Sequence, residues 1–202
     1  MPSPDSTRAL VSAARAWADL SDDQAAAFAS LFAEREVAAR TPVALPGAAD
    51  HDVLFVARGL LRFYYPADGG KESNKAFVAE GEFAGALAAA GLGVPILYGI
   101  EALEPTTVLS VPYTAFVALM DRDPAFERLG RKLAEFILMR KERRARSLLT
   151  QSAAERYLAF VEARPDLVQR VPLYHVASYL GVTDVHLSRV RRDVAGAQAV
   201  RI

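Results

Sequence analysis

The stretch LYHVASYLGVTDVHLSRVRR, residues 173–192, is typical of two short helices joined by a tight turn. Val176 and Leu180 lie one helical turn apart and can face a second helix. Gly181 follows where glycine readily adopts the positive φ of a sharp turn, and Thr183 can cap the second helix. The apolar residues of that helix recur at 3-4 spacing: Leu187, Val190 and Val194. These spacings predict a helix-turn-helix, with an ordinary helical hairpin as the alternative.

The charge of the chain is divided between its two parts. Lys and Arg together number 24, as do Asp and Glu, so the formal net charge is zero. Residues 1–125 carry 9 basic and 16 acidic side chains, a net of −7, whereas residues 126–202 carry 15 and 8, a net of +7. The difference predicts different partners for the two parts, and the basic part could face phosphates. A solvated basic surface would give the same count.

Upstream of the basic part, the chain alternates short apolar runs with turn residues. Two helices are expected within residues 6–33, the second beginning at Asp22 after a capping box of Ser21 and Gln24. Regularly spaced short strands then predict a sandwich or roll over residues 34–112. The expected strands are 43–45, 53–56, 60–65, 75–78, 96–100 and 106–111, with a short alanine-rich helix over 83–91.

A long helix is expected from Asp123-Pro124 to Leu149, with proline at its first turn. Its apolar positions form a partial heptad seam, which predicts pairing with a second copy across a two-fold axis. The alternative is that this seam packs on the roll of its own chain. The expected dimer-interface residues are Leu129, Leu133, Phe136, Ile137 and Arg140.

An acidic roll, a long helix and a helix-turn-helix together resemble the Crp/Fnr family of transcription regulators over nearly the whole chain. The resemblance is carried by residues 58–65 with 68–72, by 80–83, by 154–157, and by 177–183 with 187–189. It implies an α+β fold with a cyclic-nucleotide-binding-like, jelly-roll-like sensor domain (1–125), a dimerisation helix (126–149) and an all-α helix-turn-helix DNA-binding domain (150–202). The eight residues from 195 onward are short for a β-wing, so we expect a minimal wing or none.

The resemblance also implies double-stranded DNA with a palindromic operator as a partner, a second copy of the chain as another, and RNA polymerase as a further one. Arg189 could contact guanine and Val185 a thymine methyl group. Asp184 suits the positive end of the helix better than base readout, and His186 could contact DNA or simply be exposed. Arg191, Arg192 and Arg170 could contact phosphates. The full expected DNA-binding set is Thr183, Asp184, Val185, His186, Ser188, Arg189, Arg191 and Arg192.

The roll departs from the cyclic-nucleotide binders of this family. Gly81-Glu82 matches their phosphate cassette, but no Lys or Arg occurs between Lys75 and Arg122 to pair a cyclic phosphate. Lys141-Glu142 stands where the cAMP receptors place small hydroxyl residues. We therefore expect no cAMP response, with an uncharged effector or a filled core in its place. The expected effector-pocket residues are Phe77, Gly81, Glu82, Phe83, Leu87, Leu97 and Tyr98.

The composition excludes several other classes of function. The absence of cysteine excludes an iron–sulfur cluster and a thiolate zinc site. Only His51 lies in the roll, where it is expected to be a loop residue, so no haem or other cofactor is expected. A cupin-type enzyme would need two or three histidines around a metal, and no catalytic motif is present. With neither a signal sequence nor an apolar membrane span, we expect a cytoplasmic protein that is not an enzyme. A remaining alternative is a dimeric small-molecule or protein-binding sensor with a vestigial DNA-binding domain.

Overall fold

A computed structural model describes residues 1–49 and 51–199. Helices and strands in chain order are α1 (Pro4–Arg15), α2 (Asp22–Ser30), β1 (Ala33–Val37), β2 (Pro42–Ala44), β3 (Asp52–Arg58), β4 (Leu60–Pro66), β5 (Glu72–Ala79), β6 (Phe83–Gly85), α3 (Leu87–Leu92), β7 (Gly99–Ala102), β8 (Thr106–Pro112), α4 (Tyr113–Met120), α5 (Pro124–Thr150), α6 (Ala153–Ala163), α7 (Leu173–Leu180) and α8 (Asp184–Ala199). This order confirms the expected roll, long helix and helical C-terminal part. The contacts divide the chain into two compact units, 1–66 with 76–137 and 67–75 with 138–202.

Two antiparallel sheets form the roll. One has the strand order β1-β8-β3-β6 and the other β2-β7-β4-β5. Leu54, Val56, Leu61 and Phe63 contribute to the apolar core of the roll. The β3–β4 turn depends on Gly59, whose φ is +97°, because a Cβ there would lie 2.5 Å from Thr106 Oγ1 and 2.7 Å from the Pro105 carbonyl oxygen. Only glycine fits this turn without displacing backbone.

A second apolar cluster joins the helices of the first unit to the sheet β1-β8-β3-β6. Phe28 of α2 stacks on Phe126 of α5, with ring centroids 5.8 Å apart. Leu10 of α1 and Phe55 of β3 are fully buried in the same cluster. The predicted capping box of Ser21 and Gln24 is confirmed and begins α2 at Asp22. The first turns of α5 are therefore part of this core.

The sequence expectation was wrong at three places in the roll. Phe83–Gly85 forms β6 rather than the start of a helix, because Phe83 pairs with Phe55 and Gly85 with Val53 of the neighbouring strand. Tertiary pairing here outweighs the helical preference of alanine. The strand expected over 96–100 begins only at Gly99, and Ala33, the end of an expected helix, opens β1.

The second unit combines α6, α7 and α8 with the last part of α5 and with residues 67–75. Leu167, Leu180 and Leu187 are fully buried in it. The Arg156 side chain of α6 donates from Nε to the Leu180 carbonyl oxygen at 2.8 Å, at the C-terminus of α7. Within residues 1–49 and 51–199, no helix has the length and apolar character needed to cross a membrane.

Candidate nucleic-acid interface

Residues 173–192, where a helix-turn-helix is expected, form two helices, α7 and α8, joined by a turn. Gly181 adopts φ +70° and closes α7 in a left-handed cap. The amide of Val182 donates to the Ala177 carbonyl oxygen at 3.0 Å, and Thr183 Oγ1 accepts from the His186 amide at 3.2 Å. Each predicted local role, the turn glycine and the threonine cap, is therefore filled by the expected residue.

The second helix of the motif turns one face to the core and another to solvent. Leu187 and Val190 are buried. At about 100° per residue, Val185 and Arg189 lie about 160° to 200° around the helix from Leu187. Val185 is 58% exposed, and Arg189 is exposed as well. A large apolar side chain and a guanidinium thus stand together on an open face.

All eight residues of the expected DNA-binding set are exposed, but three of them also stabilise α8. Thr183 is the first of these three. The Asp184 carboxylate accepts a hydrogen bond from the Val185 amide at 2.9 Å, and the Ser188 hydroxyl donates to the Asp184 carbonyl oxygen at 2.9 Å. These side chains support the first turn of the helix, where a carboxylate is favourable. Within the described part of the chain, Arg189, Arg191 and Arg192 form no ion pair.

Arg191 and Arg192, the two arginines of α8 that are expected to contact phosphates, differ in position on the helix. Arg192 lies about 140° from Leu187, beside the open face, whereas Arg191 lies only about 40° from it. Both line a groove between α6 and α8, whose apolar wall includes Leu158 and Val161. Residues 195–199 continue α8, so no wing begins there, and residues 200–202 lie outside the described part of the chain.

Sequence analysis missed a polar contact on the other helix of the motif. His175, on α7, is buried, and its Nδ1 lies 3.0 Å from the Asn74 side-chain amide nitrogen, which also donates to the His175 carbonyl oxygen at 3.1 Å. The Asn74 backbone amide donates to Ser178 Oγ at 2.9 Å. Residues 74 and 175 are 101 positions apart, so no local pattern could have indicated this pair.

The expected effector-pocket residues differ in how far they are buried in the roll. Phe83 packs against Phe55 with ring centroids 5.1 Å apart, and Phe77 is buried, whereas Leu97 is 76% exposed. Leu87 is partly buried against the core of the first unit. None of the seven lines the cavity of about 720 Å³ in the described part of the first unit.

The cassette residues and Tyr98 are engaged within the roll itself. Gly81 has φ +79°, and the Glu82 carboxylate accepts the Ala79 amide at 2.8 Å. Tyr98 donates to the Gly85 carbonyl oxygen at 3.2 Å, and burial, reinforced by Tyr65, raises the pKa of its hydroxyl to about 12. Tyr98 therefore stays a neutral donor, and Glu82 is committed to its own turn.

The buried cation of the roll is already neutralised. Arg62 on β4 forms two hydrogen bonds to the Glu101 carboxylate, at 3.0 and 3.2 Å, and its guanidinium lies 4.4 Å from the centre of the Tyr64 ring. Such a bidentate pair satisfies the charge of both partners. Arg62 is thus occupied, and it does not replace the arginine missing from the cassette.

The expected dimer seam requires correction, because its first half faces the core of its own chain. Leu129 and Leu133 are only 1% and 3% exposed and belong to the apolar cluster around Phe28. Phe136 packs edge-on against Trp17 at 5.0 Å, and Ile137 packs against the same cluster. Arg140 is half-buried. For Leu129 and Leu133 the alternative expectation is correct, because these residues pack on the roll of their own chain.

A different face of α5 is exposed and apolar. Leu138 lies nine residues after Leu129, which is about half a turn around the helix. It is 64% exposed, and Leu149 is 84% exposed. Leu138, Ala145 and Leu149 lie within about 20° of one line along the helix, with Glu142 about 40° to one side. We call these four residues the outer stripe.

Comparison with known proteins gives a family match within the roll and a similar fold for most of the chain. Residues 34–123 match the cyclic nucleotide-binding domain family. FixK2 from Bradyrhizobium japonicum is similar in structure, with a TM-score of 0.71 and 19% identity over 83% of this chain and 86% of that one. A CooA mutant from Carboxydothermus hydrogenoformans gives 0.66 and 22% over 83% and 78%. The catabolite activator protein of Thermus thermophilus gives 0.56 and 20% over 89% and 86%. No curated protein matches in a sequence search. The fold is that of the Crp/Fnr-type regulators.

Proposed function

We propose that this protein is a homodimeric, sequence-specific DNA-binding transcription regulator of the Crp/Fnr type that does not respond to cAMP. The proposal rests on the open face of α8, where Val185 and Arg189 are exposed in the helix that follows the Gly181 turn. An exposed helix of this kind fits the major groove of B-DNA. The structural neighbours, one of them described as a global regulator in Xanthomonas campestris, support the same function.

Arg189 and Val185 are assigned to base recognition. A guanidinium can donate two hydrogen bonds to O6 and N7 of guanine, and an apolar side chain can contact the thymine methyl group. Arg192, beside the same face, is assigned to a phosphate. Arg191 lies closer to the α6 groove, so its contact with DNA is expected to be weaker. Thr183, Asp184 and Ser188 act mainly by holding the first turn of α8.

The outer stripe is assigned to the dimer interface in place of Leu129 and Leu133. Its apolar members recur along the helix at the spacing of a two-stranded coiled coil. Two chains related by a two-fold axis would present their α8 helices to half-sites about 34 Å apart and would recognise a palindrome.

Selection of DNA from a random duplex pool at about 0.1 M salt, without added ligand, tests the regulator directly. We expect a two-fold palindrome to be recovered. Arg189→Ala should then cost about 1–3 kcal/mol and relax the preference at one base position. Arg191→Ala is the matched control and should weaken binding less, without changing the preferred sequence. Unchanged affinity and preference in the Arg189 variant would refute the role given to Arg189.

Sedimentation of Leu138→Glu tests the interface. A carboxylate at an apolar position of a two-fold interface is costly to bury, so we expect the variant to be monomeric at concentrations where the parent is a dimer. Met139→Glu, one residue along the same helix and off the stripe, is the matched control and should weaken the dimer less. Equal effects of both substitutions would show that the outer stripe is not the interface.

The proposed absence of a cAMP response is supported by the charges of the roll. No cation lies between Lys75 and Arg122 in the sequence, Glu82 is bonded to its own turn, and Arg62 is paired with Glu101. Calorimetric titration should show cAMP and cGMP binding no more tightly than millimolar, and micromolar binding would overturn this part of the proposal.

The second candidate is a dimeric small-molecule or protein-binding sensor whose helix-turn-helix no longer recognises DNA. It is favoured by a recognition helix that offers only Arg189 and Val185 as base-reading groups and by α8 continuing where a wing would begin. DNA binding that weakens steeply with salt, together with an enriched palindrome, would exclude it. An unidentified effector and RNA polymerase remain proposed partners in the first candidate.

A further inference from the structure

A cavity of about 720 Å³ opens in the first unit, away from the expected effector residues. Its walls come from the segment before β3, the C-terminus of α3 and the junction of β8 with α4. The volume is in the range of pockets that bind small molecules. Its apolar walls include Val94, Pro95 and Pro112, and its polar lining includes His51, Asp52 and Tyr113.

His51 presents an unsatisfied acceptor at this cavity. Its Nε2 lies 2.8 Å from the Val94 carbonyl oxygen, and because a carbonyl can only accept, Nε2 carries the proton. When the ring carries only this proton, Nδ1 is a lone-pair acceptor. The Nδ1 atom is buried and has no hydrogen-bond partner in the described structure. Leaving a buried acceptor without a partner is unfavourable, and a donor from a ligand would remove this cost.

The charge around the cavity selects the kind of donor. Asp52 follows His51 in the chain, and among the described residues its carboxylate forms no ion pair. Among the described residues that line the cavity there is no Lys or Arg. A neutral acceptor beside a carboxylate is suited to a group that carries both N–H donors and a positive charge.

We propose that this cavity binds a small primary ammonium with an apolar body. The ammonium donates to the Asp52 carboxylate and to His51 Nδ1, and the hydrocarbon part packs against Val94, Pro95 and Pro112. An anionic ligand is excluded by the same lining, since it would meet a carboxylate without a cation. The proposed site does not depend on DNA binding or dimerisation, so a failure of either proposal leaves the other unaffected.

Three probes with the same six-carbon body separate charge from apolar burial: hexylamine hydrochloride, 1-hexanol and sodium hexanoate. Each is titrated into the full chain labelled with ¹⁵N, and the amide signals of Gly93, Val94 and Thr114 are followed. We expect hexylamine to saturate these shifts, with hexanol at least about tenfold weaker and hexanoate without effect. Hexanol binding as tightly as hexylamine would overturn the proposal, because a water molecule could then satisfy Nδ1 and only the apolar walls would select the probe.

Two isosteric substitutions assign the charge to its residue. Asp52→Asn should weaken hexylamine binding at least about tenfold and leave hexanol binding unchanged. Asp23→Asn, which removes an exposed carboxylate of α2, is the matched control and should leave both unchanged. Hexylamine binding that survives Asp52→Asn would refute the site, and an unchanged amide spectrum of the free variant verifies that the fold is retained.

Discussion

The two parts of α5 differ in what covers their apolar side chains. From Pro124 to Ile137 the helix buries Phe126, Leu129 and Leu133 against α2 and the roll. From Leu138 to Thr150 no side chain of the helix is fully buried, and Leu138 and Leu149 are exposed. One continuous helix thus supplies core residues first and an open apolar face afterwards, on opposite sides.

This difference shows that helical spacing identifies an apolar stripe but not its partner. Leu129 and Leu133 have the four-residue spacing of a coiled-coil seam, and so do Leu138 and Glu142. Only the position of the core decides which stripe is covered within the chain. Because Leu129 and Leu138 are about half a turn apart, a helix that packs one of them on its own roll leaves the other open.

The largest expected effect comes from replacing the buried leucine. Leu129→Ala should lower the free energy of unfolding by about 2–5 kcal/mol, because it removes buried methyl groups and leaves a cavity in the Phe28 cluster. Leu138→Ala is the matched substitution on the outer stripe and should change the stability of the dilute, monomeric chain by about 0.5 kcal/mol or less. Urea unfolding followed by circular dichroism measures both. Equal losses would show that the two parts of α5 do not differ as described.

The next-largest expected effect concerns Lys75, whose pKa depends in part on the charge of Lys141 in the second part of α5. Lys75 and Lys141 belong to the same compact unit, and burial, reinforced by the charge of Lys141, lowers the pKa of Lys75 from 10.5 to about 7. Between pH 7 and pH 10.5 the unfolded chain therefore binds more protons at Lys75 than the folded chain does. The charged Lys75 side chain therefore destabilises the folded protein by its full amount below about pH 7. This destabilisation disappears as the pH rises towards 10.5.

Lys75→Met should accordingly stabilise the protein most at neutral pH. We expect a gain of about 1–2 kcal/mol at pH 7, less than the full pKa shift implies because the side chain keeps some contact with solvent. The gain should shrink steadily up to pH 10. Lys71→Met, in the exposed part of the same segment, is the control and should show no such slope. Thermal unfolding across the pH range measures this difference, and a gain that grows with pH would contradict the assignment.

Local sequence patterns predicted helix caps and turns better than they predicted which distant residues contact each other. The Ser21 box, the Gly181 turn and the Thr183 cap depend on residues within a few positions, and all three are present. Contacts between residues distant in the sequence were either missed or mispredicted. The strand β6 forms because it pairs with β3, and Asn74 contacts His175 across 101 positions. Exposure of the DNA-binding set on α8 followed from the period of Leu187 and Val190, whereas the expected effector residues had no common period to bring them together.

Glu142 gives the smallest and most specific test of the outer stripe. It is exposed between Leu138 and Ala145, so in a parallel two-fold dimer the two Glu142 side chains would approach each other. Glu142→Leu removes this repulsion and extends the apolar stripe, and we expect it to tighten self-association about tenfold, or about 1.4 kcal/mol. Glu162→Leu, which removes an exposed carboxylate of α6, is the control and should not tighten it, because it adds no residue to the stripe. Sedimentation equilibrium measures both dissociation constants. A Glu142 variant that dissociates as readily as the parent would mean that the outer stripe meets something other than its own copy, since only two-fold symmetry brings residue 142 to face itself.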